Sequence, residues 1–294
     1  MRIILLTLII LMIASIPAFG TLTEDIMIPT EGKGLFGKTT YRLATYIHKP
    51  YGFDSARKYP VVIINHGTAV DPYTRMHTRF AYKEASEYFL NKGFVVVVPM
   101  RRGYAGSDGV VIADSIGSCS QPDYSSSARE ASKDLIEVIN YVKILTYVDK
   151  QSILLVGISS GGFTSLATAS LNIEGVIGVI NFAGGQGGAS RTEYPGHACN
   201  EQRLIQVMGS FGKAKVPTLW IYSENDNFFR PELAQAMFEE YSKNGGKGKL
   251  VIAPPVGHAL LSRPEARDIW SPLSDQFLYE LLLGEYSPTT PESC

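Results

Sequence analysis

The sequence predicts an α/β protein with a mostly parallel sheet of about eight strands and helices on both faces. Its strands are short, continuous apolar runs such as Tyr59–Asn65 and Gly175–Asn181, and such runs are typical of strands buried on both faces. Helical segments alternate with these runs, which favours parallel pairing. No linker, repeat or change of composition divides residues 21–294, so we expect them to form a single domain.

Hydrophobic periodicity, with glycine and proline at the ends of segments, places the individual elements. A weak strand at Asp25–Ile28, closed by Pro29, is expected to form an antiparallel hairpin with Thr40–His48. The later predicted strands are Tyr59–Asn65, Phe94–Val98, Ile153–Val156, Gly175–Asn181, Thr218–Tyr222 and Leu250–Ala253. The predicted helices are Arg79–Asn91, Ser126–Tyr147, a small-residue helix from Ser160, Gln202–Phe211, Pro231–Lys243 and Leu273–Leu283. We expect the last ~10 residues, a Pro/Thr tail, to be flexible.

The first 20 residues have the pattern of a secretory signal peptide. Arg2 is followed by the apolar run Ile3–Ile13, and Ala18-Phe19-Gly20 offers small residues for cleavage. Cleavage would leave a secreted or periplasmic protein with no stable membrane insertion. The alternative is an N-terminal membrane anchor that is never cleaved.

Outside the cytoplasm, cysteines are expected to form disulfides. The chain has three cysteines, an odd number. We predict a bridge between Cys119 and Cys199, with Cys294 free or paired between molecules. Three unpaired thiols are the alternative.

Charge and composition exclude several classes of partner. The net charge of −1, without a long run of basic residues, argues against nucleic acid as a partner. The sequence contains no metal-ligand cluster, phosphate-binding loop or dinucleotide fingerprint. We therefore expect no metal and no cofactor.

The segment Gly157-Ile158-Ser159-Ser160-Gly161 is a G-x-S-x-G motif between an apolar strand and a helix. In this context the motif predicts a nucleophile elbow, a sharp turn that exposes the serine hydroxyl above the sheet edge. Glycines on both sides allow the strand and the helix to pack closely. Ser159 is therefore the candidate nucleophile.

A serine hydroxyl needs a base to remove its proton as it attacks. Among five histidines, only His258 directly follows a strand after both the serine and a candidate acid. Asp226, which follows the preceding strand, is the candidate that orients His258. Glu224 is the alternative acid. The backbone N–H groups of Ser160 and Thr68 are the predicted oxyanion-hole donors, because both follow strands at this edge.

Taken together, "INHG", "RRGYAGSDG", "GISSGG", "NFAGG", "IYSENDNFF" and "GHALL" resemble the α/β-hydrolase superfamily, in particular its secreted dienelactone-hydrolase-like branch. The resemblance covers roughly residues 40–283 and implies the α/β-hydrolase fold and a Ser-His-Asp hydrolase. Dienelactone hydrolases use a cysteine nucleophile, whereas this chain has Ser159. Their cyclic-lactone substrate is therefore not expected here.

The leading prediction is a serine esterase that cleaves a small-molecule carboxylic ester through an acyl-enzyme. The alternatives are a small peptidase or amidase with the same triad, or a catalytically inactive hydrolase fold that serves as a binding protein. Side chains near the site edge are candidates for substrate binding, although they could equally brace loops: Arg102, Tyr104, Asn181 and Phe228.

Overall fold

A computed structural model describes residues 22–34, 37–111, 113–189 and 195–283. These residues form an eight-stranded sheet with helices on both faces. In chain order its strands are β1 (Thr23–Gly34), β2 (Gly37–His48), β3 (Tyr59–Asn65), β4 (Val95–Pro99), β5 (Val148–Ile158), β6 (Val176–Phe182), β7 (Thr218–Ser223) and β8 (Gly248–Ala253). They lie side by side in the order β1-β2-β4-β3-β5-β6-β7-β8. The β1–β2 and β2–β4 pairs are antiparallel, and all later pairs are parallel. The predicted fold class is thus confirmed.

The elements alternate along the chain as the sequence predicts. Two short strands outside this sheet, Gly188–Ala189 and His197–Ala198, pair with each other in antiparallel fashion. The helices are α1 (Pro72–His77), α2 (Lys83–Asn91), α3 (Tyr124–Ile144), α4 (Ser160–Ala169), α5 (Glu201–Ser210), α6 (Pro231–Lys243) and α7 (Arg267–Leu283).

The central strands bring their carboxyl ends to one place. Asn65 at the end of β3 pairs with Gly157 of β5, and Gly157 pairs with Asn181 of β6. The loops that follow these three strands therefore start side by side. Every residue of β4 is buried, as expected for a strand that is covered on both faces.

Several elements differ from the sequence prediction, and three of the differences have a clear physical cause. Strand β1 continues through Pro29, which pairs with Arg42; proline is tolerated there because β1 lies at the sheet edge and has one neighbour. Helix α1 was not predicted, because none of its residues is buried and it lacks an apolar stripe. Helix α2 begins at Lys83 rather than Arg79, because Tyr82 has a left-handed backbone conformation.

Some sequence predictions fall outside the described residues. These are the signal peptide at residues 1–20, the C-terminal tail and Cys294. Within the described ranges, no helix combines the length and the apolar character needed to cross a bilayer.

Candidate active site

The G-x-S-x-G segment forms a tight turn between β5 and α4. Ser159 has φ 55° and ψ −125°, which is a strained conformation for a non-glycine residue. A Cβ on Gly157 would lie 2.2 Å from the Gly161 carbonyl oxygen, and one on Gly161 would lie 2.1 Å from the Asn65 oxygen. Glycine is therefore required on both sides of the turn, because strand, turn and helix backbones are in contact.

Asp226 and His258 are paired at the ends of β7 and β8. The His258 Nδ1 atom lies 2.9 Å from Asp226 Oδ2 and 3.0 Å from Oδ1. The backbone N–H groups of Phe228 and Phe229 also donate to Oδ1, at 2.8 and 3.0 Å. The carboxylate is thus held in place by its own loop. Because Asp226 contacts the Nδ1 atom of His258, the Nε2 atom of the ring is available to another group.

Two other polar residues, Glu224 and Asn225, lie in the same loop as Asp226. Glu224, the alternative acid, is exposed. The Asn225 Oδ1 atom accepts the Gly257 backbone N–H at 2.7 Å. This bond ties the loop that carries Asp226 to the loop that carries His258.

Thr68 and Ser160, the residues whose backbone N–H groups are the predicted oxyanion donors, are in contact through their side chains. The Thr68 hydroxyl donates to Ser160 Oγ at 2.9 Å, so the loop after β3 touches the first residue of α4. A Cβ on Gly67 would lie 3.1 Å from the Ser159 Cβ. The backbone before Thr68 therefore packs directly on the elbow.

Below these loops lies a buried polar network that is centred on Arg101. The Arg101 guanidinium forms an ion pair with Asp114 at 3.0 Å, donates to Ser160 Oγ at 3.0 Å and also donates to the His66 carbonyl oxygen. The His66 Nε2 atom accepts the Arg101 backbone N–H at 3.0 Å, and Nδ1 donates to the Gly67 carbonyl oxygen at 2.8 Å. Burial, helped by the Arg101 charge, lowers the pKa of His66 to about 3. The ring is therefore neutral.

A cavity of about 360 Å³ opens above the elbow. Ser159, Thr68 and His258 line it together with a mainly apolar wall. Further residues of the wall include Phe80, Tyr82, Asp114, Ile116, Gln186, Gly187, Phe228 and Phe229. The Phe228 ring lies 4.3 Å from the His258 ring, centroid to centroid.

Of the four predicted substrate-binding residues, only Phe228 lines this cavity. Arg102 is instead paired with Asp134 of α3 at 2.6 Å. The Tyr104 hydroxyl donates to Asp114 and accepts the Ala69 N–H, so it lies within the network beneath the loop. These placements correct the prediction for Arg102 and Tyr104, whose polar groups bind other residues of the protein interior.

Asn181 is the third residue that departs from the prediction. It is fully buried, and its Nδ2 donates to the Tyr222 hydroxyl at 3.4 Å. It sits at the end of β6, as the sequence indicates, but it points into the core. The sequence places a residue at the sheet edge without fixing which way its side chain faces.

Cys119 and Cys199 form a disulfide, which agrees with the predicted pairing. The bridge joins two loops that contribute to the cavity, through Ile116 in one and Gly187 in the other. The Cys199 N–H donates to the Gly187 oxygen at 2.9 Å. Within the described residues, no group of three or more His, Cys, Asp or Glu residues could hold a metal ion.

Residues 43–273 match the dienelactone hydrolase family. The chain belongs to this family. This family and the α/β-hydrolase fold are those that the sequence resemblance indicated.

Individual relatives of this dienelactone hydrolase family member include esterases and dipeptidyl peptidases. A protein described as a probable dipeptidyl-peptidase 5 from Aspergillus terreus is 30% identical over 123 residues, which are 42% of this chain and 16% of that protein. Dipeptidyl peptidase 4 from Porphyromonas gingivalis has a TM-score of 0.63 at 17% identity, over 88% of this chain and 35% of its own. Est1E from Butyrivibrio proteoclasticus, solved with ferulic acid, has a TM-score of 0.60 at 18% identity, over 83% of this chain and 96% of its own.

Proposed function

We propose that this protein is a serine esterase in which Ser159, His258 and Asp226 form a catalytic triad. One observation carries the proposal. His258, held by Asp226 at 2.9 Å, lines the same cavity as Ser159, whose strained turn lifts it from the end of β5. This combination has the parts of an activated nucleophile: a serine, a base and a group that orients the base.

The reaction follows from these positions. Ser159 Oγ attacks the ester carbonyl carbon while its proton passes to His258 Nε2, and the carbonyl electron pair moves onto the oxygen. The oxygen is then stabilised by the N–H groups of Thr68 and Ser160. Collapse of the intermediate expels the alcohol, which takes the proton from His258. The resulting acyl-enzyme is hydrolysed when His258 activates a water molecule.

The cavity supports a small substrate. Its volume of about 360 Å³ is near the lower end of the range for sites that bind small molecules. Phe228 and Phe229 provide an apolar wall beside His258. We propose that a small carboxylic ester binds here, with Phe228 in contact with it.

A peptidase or amidase with the same triad is the second candidate, and it is favoured by the likeness to dipeptidyl peptidases. The chain spans only 16% of the curated relative and 35% of the solved dipeptidyl peptidase. The fold likeness to the esterase Est1E is of the same order, with a TM-score of 0.60. Ester and amide substrates of matched structure therefore have to decide between the two candidates.

We also propose that the protein works outside the cytoplasm. The disulfide between Cys119 and Cys199 supports this location, because such bonds persist in oxidising compartments. The apolar run at residues 3–13 would then act as a signal peptide. N-terminal sequencing of the exported protein tests the proposed cleavage near residue 20.

A fluorophosphonate probe, which labels activated serines, provides the decisive experiment. We expect it to label Ser159 in the wild type and to leave a Ser159→Ala variant unlabelled. The same variant should lose on the order of a millionfold in kcat. Matched p-nitrophenyl esters and p-nitroanilides then compare ester and amide cleavage. An unlabelled wild type would reject the enzyme and favour the inactive binding fold.

A further inference from the structure

Tyr82 combines a strained backbone with a position at the candidate active site. It precedes α2 with φ 44° and ψ 54°, and its side chain makes no capping hydrogen bond. A bulky aromatic residue in the left-handed region is an outlier, and such a conformation costs roughly 1–3 kcal/mol. Glycine or asparagine would be the favoured residue for this turn. The presence of tyrosine at this strained position therefore suggests that its side chain has a specific role.

The strained turn directs the tyrosine ring into the cavity. Tyr82 lines the cavity together with Ser159 and Thr68, and its ring lies 6.0 Å from that of Phe80. The Gly67 backbone N–H donates to the Tyr82 hydroxyl oxygen at 3.3 Å. Gly67 in turn packs on Ser159, because a Cβ on Gly67 would lie 3.8 Å from Ser159 Oγ. The hydroxyl is thus beside the loop that presents the Thr68 N–H.

Counting hydrogen bonds leaves the Tyr82 proton without an acceptor. The hydroxyl oxygen accepts one bond from Gly67, and its own O–H donates to no described residue. A phenol that faces a cavity can donate this proton to a bound molecule. Burial raises the pKa of Tyr82 well above its ordinary value, so the hydroxyl stays protonated and remains a donor.

We propose that the Tyr82 hydroxyl donates a hydrogen bond to the oxyanion formed when Ser159 attacks the substrate, as a third donor beside the Thr68 and Ser160 N–H groups. This inference rests on the proposed esterase function. The phenol keeps its proton throughout, and the oxyanion gains charge only in the intermediate. The bond is therefore stronger in the transition state than with the bound ester, and it raises kcat.

The variant Tyr82→Phe tests this role, because it keeps the ring and removes only the oxygen. We expect kcat for a p-nitrophenyl ester to fall about 10²- to 10³-fold, with KM within about threefold of wild type. A trifluoromethyl ketone, which forms an oxyanion on the serine, should lose affinity by a similar factor. The matched control is Tyr88→Phe in α2, the helix that follows Tyr82. The Tyr88 hydroxyl donates to Asp275 at 2.6 Å, and Tyr88 does not line the cavity.

The outcomes separate this proposal from the proposed function. Fluorophosphonate labelling of Ser159 in both wild type and Tyr82→Phe shows that the nucleophile is intact, and melting temperatures show that the fold is intact. If labelling holds but kcat and inhibitor affinity stay within twofold of wild type, Tyr82 is not an oxyanion donor. A rise in KM without a fall in kcat also overturns it. A wild type that is neither labelled nor active removes both proposals.

Discussion

Asp226 shows how a single carboxylate is fixed before it acts. Two backbone N–H groups and the His258 Nδ1–H all point at it, so it can hold the imidazole in one tautomer and stabilise the imidazolium. An amide in its place would present a donor toward Nδ1. The replacement would thus favour the wrong tautomer without changing the shape of the loop.

We expect Asp226→Asn to lower kcat on the order of 10⁴-fold, with little change in melting temperature. Glu224→Gln is the matched control, because Glu224 is the neighbouring exposed acid on the same loop. Steady-state assays of the two variants decide between the two candidate acids. A large loss in Glu224→Gln together with near-normal Asp226→Asn would reverse the assignment.

The lowered pKa of His66 predicts that the stability of the protein depends on pH. Its pKa is about 3 in the folded protein, whereas the ordinary value for histidine is 6.5, so between these pH values the unfolded chain binds a proton that the folded chain does not. The free energy of unfolding therefore decreases as the pH falls from 6.5 toward 3. Between pH 7 and pH 4.5 this amounts to about 2.5 kcal/mol.

Urea unfolding of wild type and His66→Asn at the two pH values measures this contribution. Other groups also titrate in this range, so the useful quantity is the difference between the two proteins in how much stability they lose. The variant should lose about 2.5 kcal/mol less than the wild type between pH 7 and pH 4.5. Equal losses of stability in the two proteins would show that folding does not lower the pKa of His66.

At the level of helices and loops, Arg102 links the segment after β4 to α3. Its guanidinium pairs with Asp134 at 2.6 Å and with Glu130 at 3.3 Å, and its backbone N–H donates to Asp134 at 3.1 Å. Arg102 and Asp134 are both almost fully buried. A buried pair of this kind stabilises little as a whole, but removal of one partner leaves a buried charge.

We expect Arg102→Met to destabilise the protein by about 3 to 5 kcal/mol. The double variant Arg102→Met/Asp134→Leu should recover much of that loss, because neither charge of the buried pair remains. KM for the ester should stay near the wild-type value in both. Denaturant unfolding measures the free energy of unfolding of both variants, and steady-state kinetics measures their KM. A raised KM with unchanged stability would indicate that Arg102 contacts the substrate.

Much of the fold was predictable, because the strands are buried on both faces and carry continuous apolar runs. Helix α1 was missed because its stability comes from the Asp71 cap and from Pro72 rather than from a buried face. Proline in β1 was read as an end signal, although an edge strand tolerates it. Local patterns identify elements well where burial is complete, and less well where one side faces solvent.

The candidate site divides in the same way. Ser159, Asp226 and His258 follow strands in a fixed order, so their proximity could be inferred from the topology. Tyr82 could not, since its direction depends on one left-handed residue and on packing against the loop after β3. Its position just before a helix is the only local signal.

Across the molecule, the disulfide joins distant parts of the chain around the cavity. Cys119 and Cys199 are separated by 80 residues, and several further contacts connect their loops. The Tyr124 hydroxyl donates to the Cys199 oxygen, and Gln186 Nε2 donates to the Ala113 oxygen at 3.2 Å. Both loops contribute to the cavity wall, so their relative position determines its shape.

Loss of the bridge should affect stability and substrate binding together. For a separation of 80 residues, the chain-entropy account gives roughly 4 to 5 kcal/mol of stabilisation. Because the hydrogen bonds between the loops remain, we expect Cys119→Ser/Cys199→Ser to fold with a lower melting temperature. Its KM should rise several-fold while kcat changes little, since Ser159 and His258 lie on other loops.

Reductant provides the matched comparison for this double variant. Dithiothreitol should shift the wild type to the melting temperature and KM of the variant, and it should leave the variant itself unchanged. Cys294→Ser should behave as wild type in both conditions, because the predicted bridge does not use it. Non-reducing peptide mapping of the wild type identifies the pair directly. A peptide that joins Cys294 to either partner would contradict the assignment, and a wild type whose melting temperature ignores reductant would show that the bridge does not stabilise the cavity wall.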